Sequence, residues 1–193
     1  MRTILSVIFL FFGACLFAQE DDEGSDRIYW SDWYRLEWTD FQDEPIADRK
    51  IAALSNIALP YSYTTDGEGS MTVKIQVCFM KNESWSKPEQ HNNLLLQHEQ
   101  LHFDIAELHR RIIVKKLMEA KFTKKNYKNL LKEIVEEVWK KDYRTMQNKY
   151  DEESNYSKVI KQQINWNKFV QQQMRNYANY TYTEVEVSLI NFD

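Results

Sequence analysis

Three observations predict an α+β domain. Stretches between Tyr29 and Met80 alternate apolar and polar side chains, residues 87–178 place apolar side chains at three- and four-residue steps, and the tail from Glu184 alternates again. The implied order is an N-terminal antiparallel sheet, three long helices with the first laid across that sheet, and a short C-terminal strand. Only four Gly and three Pro punctuate the 193 residues, so few positions can interrupt the helices.

Taken in order, the first eighteen residues read as a secretory signal: Arg2, an apolar run from Ile4 to Phe12, and a Leu16-Phe17-Ala18 end. The run is too short to span a bilayer as a helix. The expected protein is therefore exported, periplasmic or secreted, cleaved after Ala18, with no transmembrane segment in the mature chain. The alternative is a lipoprotein anchored at Cys15 through Phe12-Gly13-Ala14-Cys15; Phe12 in place of the usual Leu, and apolar Leu16 and Phe17, argue against it. Residues 19–26 are acidic and small, as in a disordered leader, which leaves 27–193 as a single domain.

Within that domain, Tyr29 to Trp38 alternates loosely as one or two short strands. Ile57, Leu59, Tyr61 and Tyr63 share one side of a strand over 55–63, and Thr65 to Ser70 is a turn built on Asp66-Gly67. Met71, Val73, Ile75, Val77 and Phe79 then form the second arm of a hairpin. Ser86 and Glu89 make a capping box, with Pro88 in the first helical turn. The first helix buries Leu94, Leu95, Leu101, Ile105, Leu108 and Ile112; a second carries Tyr127, Leu131, Ile134, Val135, Val138 and Met146; a third carries Tyr156, Val159, Ile160, Ile164, Val170 and Met174.

A net charge of −4 is too small to dictate a partner. Residues 110–149 hold thirteen bases against five acids, but on amphipathic helices these are solvated faces, so no nucleic-acid partner is expected. Loss of the signal would leave Cys78 as the sole thiol, so stability rests on packing and a metal rather than on a disulfide.

The chemistry is concentrated in His98-Glu99-Gln100-Leu101-His102. On a helix, two histidines four residues apart project from one face about 6 Å apart and can share one metal ion. Glu99 lies about 100° further round, able to reach a metal-bound water without ligating the metal. His91 and His109 are each roughly 10 Å along the axis from the pair and read as flanking residues. Asp104 and Glu107 point away from the pair, and Glu107 is set to pair with Arg111. A catalytic zinc needs a third protein ligand. Glu133, Glu136 and Glu137 on the second helix are candidates, and Tyr156 could ligate or donate to an oxyanion, although on an apolar stripe it is more often core.

Trp38-Thr39-Asp40-Phe41, Ser84-Trp85, the run from Leu95 to Glu107, and Tyr150-Asp151 resemble an exported bacterial HExxH domain family of unknown function, described as predicted zinc-dependent peptidases. The resemblance covers nearly all of the mature chain and implies a small zincin-like fold. By family position it adds Asp151 to the candidate ligands. Beyond Tyr-Asp the family commonly has Thr, one residue, then His; here the matching stretch is Tyr150-Asp151-Glu152-Glu153-Ser154-Asn155-Tyr156, with Tyr156 at that histidine.

The expectation is an exported zinc-dependent metallopeptidase or amide hydrolase acting on a peptide or protein, with His98 and His102 on Zn2+ and Glu99 as general base. An extended substrate could add to the strand from Met71 to Phe79, touching Thr72, Lys74 and Gln76. The alternative is a catalytically inactive zinc-containing extracytoplasmic module that binds protein or glycan, the glycan surface being drawn from Tyr29, Trp30, Trp33, Tyr34 and Trp38.

Overall fold

Met71, Val73 and Ile75 alternate with polar neighbours and are fully buried, yet the strand they begin does not run straight to Phe79. In the computed structural model, which describes residues 25–67 and 69–190, it divides into β5 (Ser70–Ile75) and β6 (Cys78–Met80). Its partners change at the break. β4 (Tyr61–Thr65) and β8 (Glu184–Ser188) flank β5, whereas β1 (Arg27–Tyr29) and β3 (Ile57–Ala58) flank β6. All four pairings are antiparallel. Pro60 cannot donate to a ladder, and it separates β3 from β4, so the single strand expected over 55–63 is two.

The β4–β5 hairpin turns as the sequence implies. Asp66 Oδ1 accepts the Gly69 and Ser70 N–H groups at 2.9 Å each, and Gly67 sits at φ +78°. The closing strand also forms, with Val187 opposite Met71 and Val185 opposite Val73. A separate two-stranded ladder pairs β2 (Ala53–Leu54) with β7 (Trp85–Ser86).

Helix α1 (Asn93–Glu119) starts later than the sequence suggests. Ser86 belongs to β7, Pro88–Gln90 is a short 3-10 turn, and the cap is Asn92, whose side chain accepts the Leu95 N–H at 2.9 Å. The second helix is one rod of three parts: α2 (Tyr127–Glu136), a π-helical segment (Glu137–Tyr143) and α3 (Arg144–Ser154). The third, α4 (Ile160–Asn176), buries Gln163, Trp166 and Val170. Val159, Ile160 and Ile164, expected on its apolar stripe, are exposed, and Tyr156 lies before the helix, 44% exposed.

The C-terminal half of α1 (Ile113, Val114, Leu117) packs with α2 on the inner face of β5 and β8. Its N-terminal half packs Leu95, Phe103 and Ala106 against Phe79 and the chain around Leu36 and Phe41. A third cluster joins Leu101 and Ile105 to Tyr150, Trp166 and Val170. Helix α1 is thus enclosed for most of its length, which is why its central polar residues are buried and matched. Glu107, 2% exposed, receives both Arg110 (2.6 and 2.7 Å) and Arg111 (2.8 Å). Among the described residues no helix is long and apolar enough to cross a membrane. The expected signal, Cys15 and residues 19–24 of the leader lie outside the described residues.

Candidate metal centre

His98 and His102 occupy successive turns of α1, and α3 lays Asp151 against them. His98 Nε2 is 3.1 Å and His102 Nε2 3.0 Å from Asp151 Oδ1, and the two ring nitrogens are 3.2 Å apart. These three residues form a group able to hold a metal ion. Ligand atoms on one tetrahedral zinc at about 2.0–2.1 Å lie roughly 3.3 Å apart, so the triangle has nearly the right edges without rearrangement. Two imidazoles and one carboxylate suit zinc and the borderline metals near it.

The outer nitrogens are held by glutamines. His98 Nδ1 lies 3.2 Å from Gln163 Oε1, and His102 Nδ1 is bonded to Gln147 Oε1. Gln147 Nε2 donates to the His102 carbonyl at 3.0 Å, while Gln163 Oε1 also accepts the Tyr150 hydroxyl at 2.7 Å. Both amide oxygens therefore face the rings, each Nδ1 carries a proton, and both Nε2 atoms point into the site, where each would offer its lone pair to a metal once deprotonated. Burial pushes the Tyr150 phenol far above its ordinary pKa, so it stays a neutral donor.

Desolvation lowers the pKa of His102, but the bond and charge of Asp151, the charge of Glu99 and the Gln147 bond outweigh it, raising the net value to about 9. Burial acts upward on Asp151, yet the two histidines hold its carboxyl well below the usual carboxylate range. In the metal-free protein a proton on His102 thus occupies the place a cation would take.

Glu99 is 3% exposed and accepts the Ser55 hydroxyl on Oε2 at 2.7 Å. It shares a cleft of about 570 Å³ with the metal triad. One wall of this cleft is the segment from Lys50 to Ser55, the other the face of α3 carrying Arg144, Gln147, Asn148 and Asp151. Beyond α3, Asn155, Tyr156 and Ser157 have φ of 47°, 52° and 73°, a left-handed turn that brings Asn155 and Tyr156 to the rim.

Of the ligands left open by the sequence, Asp151 joins the histidines and the others do not. Glu136 and Glu137 pair with Lys140 and Lys116, and Glu133 is exposed beside them on a different face. Tyr156 is neither core nor part of the metal group; it lines the cleft. His91 stacks on Trp38 at 3.9 Å, and buried His109 bonds the Ile105 carbonyl at 2.7 Å. Asp104 accepts from Trp30 and Gln100, both at 2.9 Å. Trp30, Tyr34 and Trp38 pack on the core and Tyr29 is half-buried, which leaves Trp33, 71% exposed, as the open ring of the expected glycan surface. The Met71–Phe79 segment cannot accept an added strand, because β5 and β6 each have neighbours on both edges.

Sequence reasoning missed Ser55, Gln147 and Gln163. Two carried a signal: Gln163 is a polar residue on the inward stripe of a helix, and Gln147 precedes Asp151 by one turn.

The arrangement defines a class: an α+β domain in which one helix presents two histidines and an adjacent glutamate to an aspartate from a second helix. The chain belongs to the family described as bacterial protein of unknown function (DUF922), whose model matches residues 44–158, a span that includes His98, Glu99, His102 and Asp151. No curated protein and no solved structure matches the chain significantly.

Proposed function

We propose that the protein is an exported zinc-dependent amide hydrolase, a metallopeptidase, in which His98, His102 and Asp151 hold the metal and Glu99 is the general base. The observation that carries this reading is the convergence of two Nε2 atoms and one carboxylate oxygen within 3.0–3.2 Å of one another, beside a buried glutamate in an open cleft. When bound, zinc lowers the pKa of water towards about 7 and polarises a carbonyl.

Glu99 takes a proton from the attacking water and delivers it to the leaving amine. Its Oε2 is held by Ser55, which leaves Oε1 to exchange the proton. Strand β2 offers the substrate a register. The Lys87 N–H donates to the Ala52 carbonyl at 2.8 Å, so the alternate residue, Ala53, turns its own N–H and C=O away from β7, where an extended peptide can pair with them. The Tyr156 hydroxyl has no acceptor among the described residues and is free to donate to a developing oxyanion.

The test is metal content by elemental mass spectrometry together with turnover of a peptide library. Wild type should hold about one zinc per chain, and H98A/H102A none. Glu99→Gln should keep the metal and lose about 10²–10⁴-fold in kcat. Metal without turnover of any peptide would replace the hydrolase by the zinc-containing binding module.

A further inference from the structure

Apart from Glu99 and Asp151, which are committed to the proton and the metal, every formally charged side chain lining the cleft is a cation: Lys50 on the β2 wall, Arg144 at the start of α3, and Lys158 beyond its end. All three are exposed, and none has a carboxylate within ion-pair distance among the described residues. A chain with a net charge of −4 thus gathers three unmatched positive charges around one groove, where low-dielectric walls focus their field.

Their placement follows the groove. Arg144 and Asp151 share one face of α3 and are seven residues apart, so Arg144 lies about 10 Å along the axis from the metal ligand. That distance is roughly three residues of extended peptide. Lys158 follows the left-handed turn on the other side of Asp151, and Lys50 faces α3 from across the cleft.

We propose that the substrate is a peptide carrying acidic side chains two to four residues from its scissile bond, selected by Lys50, Arg144 and Lys158. This rests on the hydrolase reading for the cleavage step but not for binding. Exposed pairs are individually weak and screened, so the three together give a preference of about tenfold at low salt, shrinking as ionic strength rises.

The experiment uses the zinc-loaded full chain and matched fluorogenic peptides that differ only in Asp, Asn or Lys at those positions. The expected kcat/KM ratio of Asp to Asn peptide is about ten in 20 mM salt. It should fall to near two in 0.5 M salt and approach one in the K50E/R144E/K158E variant, whose circular dichroism and zinc content establish that it is folded. Equal cleavage of the three peptides, or a preference that survives charge reversal, overturns the proposal. If wild type cleaves none of them, fluorescence anisotropy of the same peptides on the same proteins decides it. Tighter binding of the Asp peptide, lost on charge reversal, keeps the acidic ligand while rejecting the hydrolase, and equal binding rejects both.

Discussion

The Ser55 hydroxyl donates to Glu99 Oε2 at 2.7 Å across 44 positions of sequence, tying the segment after β2 to the carboxylate between His98 and His102 in sequence. A buried carboxylate that loses its donor loses orientation as well as about 1.5–3 kcal/mol of charge-assisted bonding. Ser55→Ala is expected to retain zinc and to lower kcat about tenfold with little change in KM, while Ser55→Thr, which keeps the hydroxyl, restores most of it. Full activity in Ser55→Ala would show that Glu99 needs no such hold.

Gln163 links two buried groups, the His98 ring at 3.2 Å and the Tyr150 hydroxyl at 2.7 Å. Gln163→Leu leaves the buried His98 Nδ1–H without its acceptor and the Tyr150 hydroxyl with only the His98 carbonyl at 3.3 Å, and the unpaired imidazole alone costs roughly 1–3 kcal/mol. Chelator competition should show zinc affinity down about 10–100-fold, as for other partners of ligating histidines. Thermal unfolding of the metal-free variant should fall as well. An unchanged zinc Kd would mean that His98 is oriented by packing alone.

The two raised and lowered groups of the site give a pH dependence with a definite sign. His102, at about 9 when folded against an ordinary 6.5, contributes stability that is full below about pH 6.5 and lost as pH rises through 9. Asp151, depressed, contributes stability that is full above about pH 4 and lost under stronger acid. The metal-free protein should therefore be most stable between about pH 4 and 6.5. Zinc must displace the His102 proton, so its affinity should climb between pH 6.5 and 9. Melting temperature and zinc Kd measured across pH 5–9 check both trends, and a metal-free protein that gains stability from pH 7 to 9 contradicts them.

His98, Glu99 and His102 were legible because their geometry is local: a four-residue spacing on one helix fixes where both rings point. The β5 alternation and the closing strand were legible for the same reason. The break at Gln76 was not, since it comes from a change of partners distant in sequence, with Ile75 N–H bonding Thr183 and Trp30 N–H bonding Val77. Asp151 was placed by resemblance and could not be placed by helical phase. Twelve α-helical residues would rotate Tyr150 about 120° from Val138. Both nevertheless face α1, Val138 among its apolar side chains and Tyr150 on the His98 carbonyl, because the wider turns of the π segment absorb the difference. Tyr156 was misread as core because an apolar repeat through Val159 and Ile160 continues in sequence where the backbone turns left-handed.

That left-handed turn leads to the last expectation. Three successive non-glycine residues at positive φ cost about 1–2 kcal/mol each. The turn is pinned nonetheless, with the Tyr156 N–H on the Asp151 carbonyl at 3.0 Å and the Val159 N–H on the Ser154 carbonyl at 2.8 Å. The first of these bonds joins Tyr156 directly to a residue of the candidate metal group, so the strained turn fixes the tyrosine relative to the site. Tyr156→Phe removes only a hydroxyl that has no acceptor among the described residues, so stability should change by less than about 0.5 kcal/mol and zinc content not at all. If that hydroxyl stabilises the oxyanion, kcat should fall about 10²-fold while KM stays within a few-fold. A variant that turns over as fast as wild type would reduce Tyr156 to a wall of the cleft, and a variant that loses zinc would instead make the turn a support for Asp151.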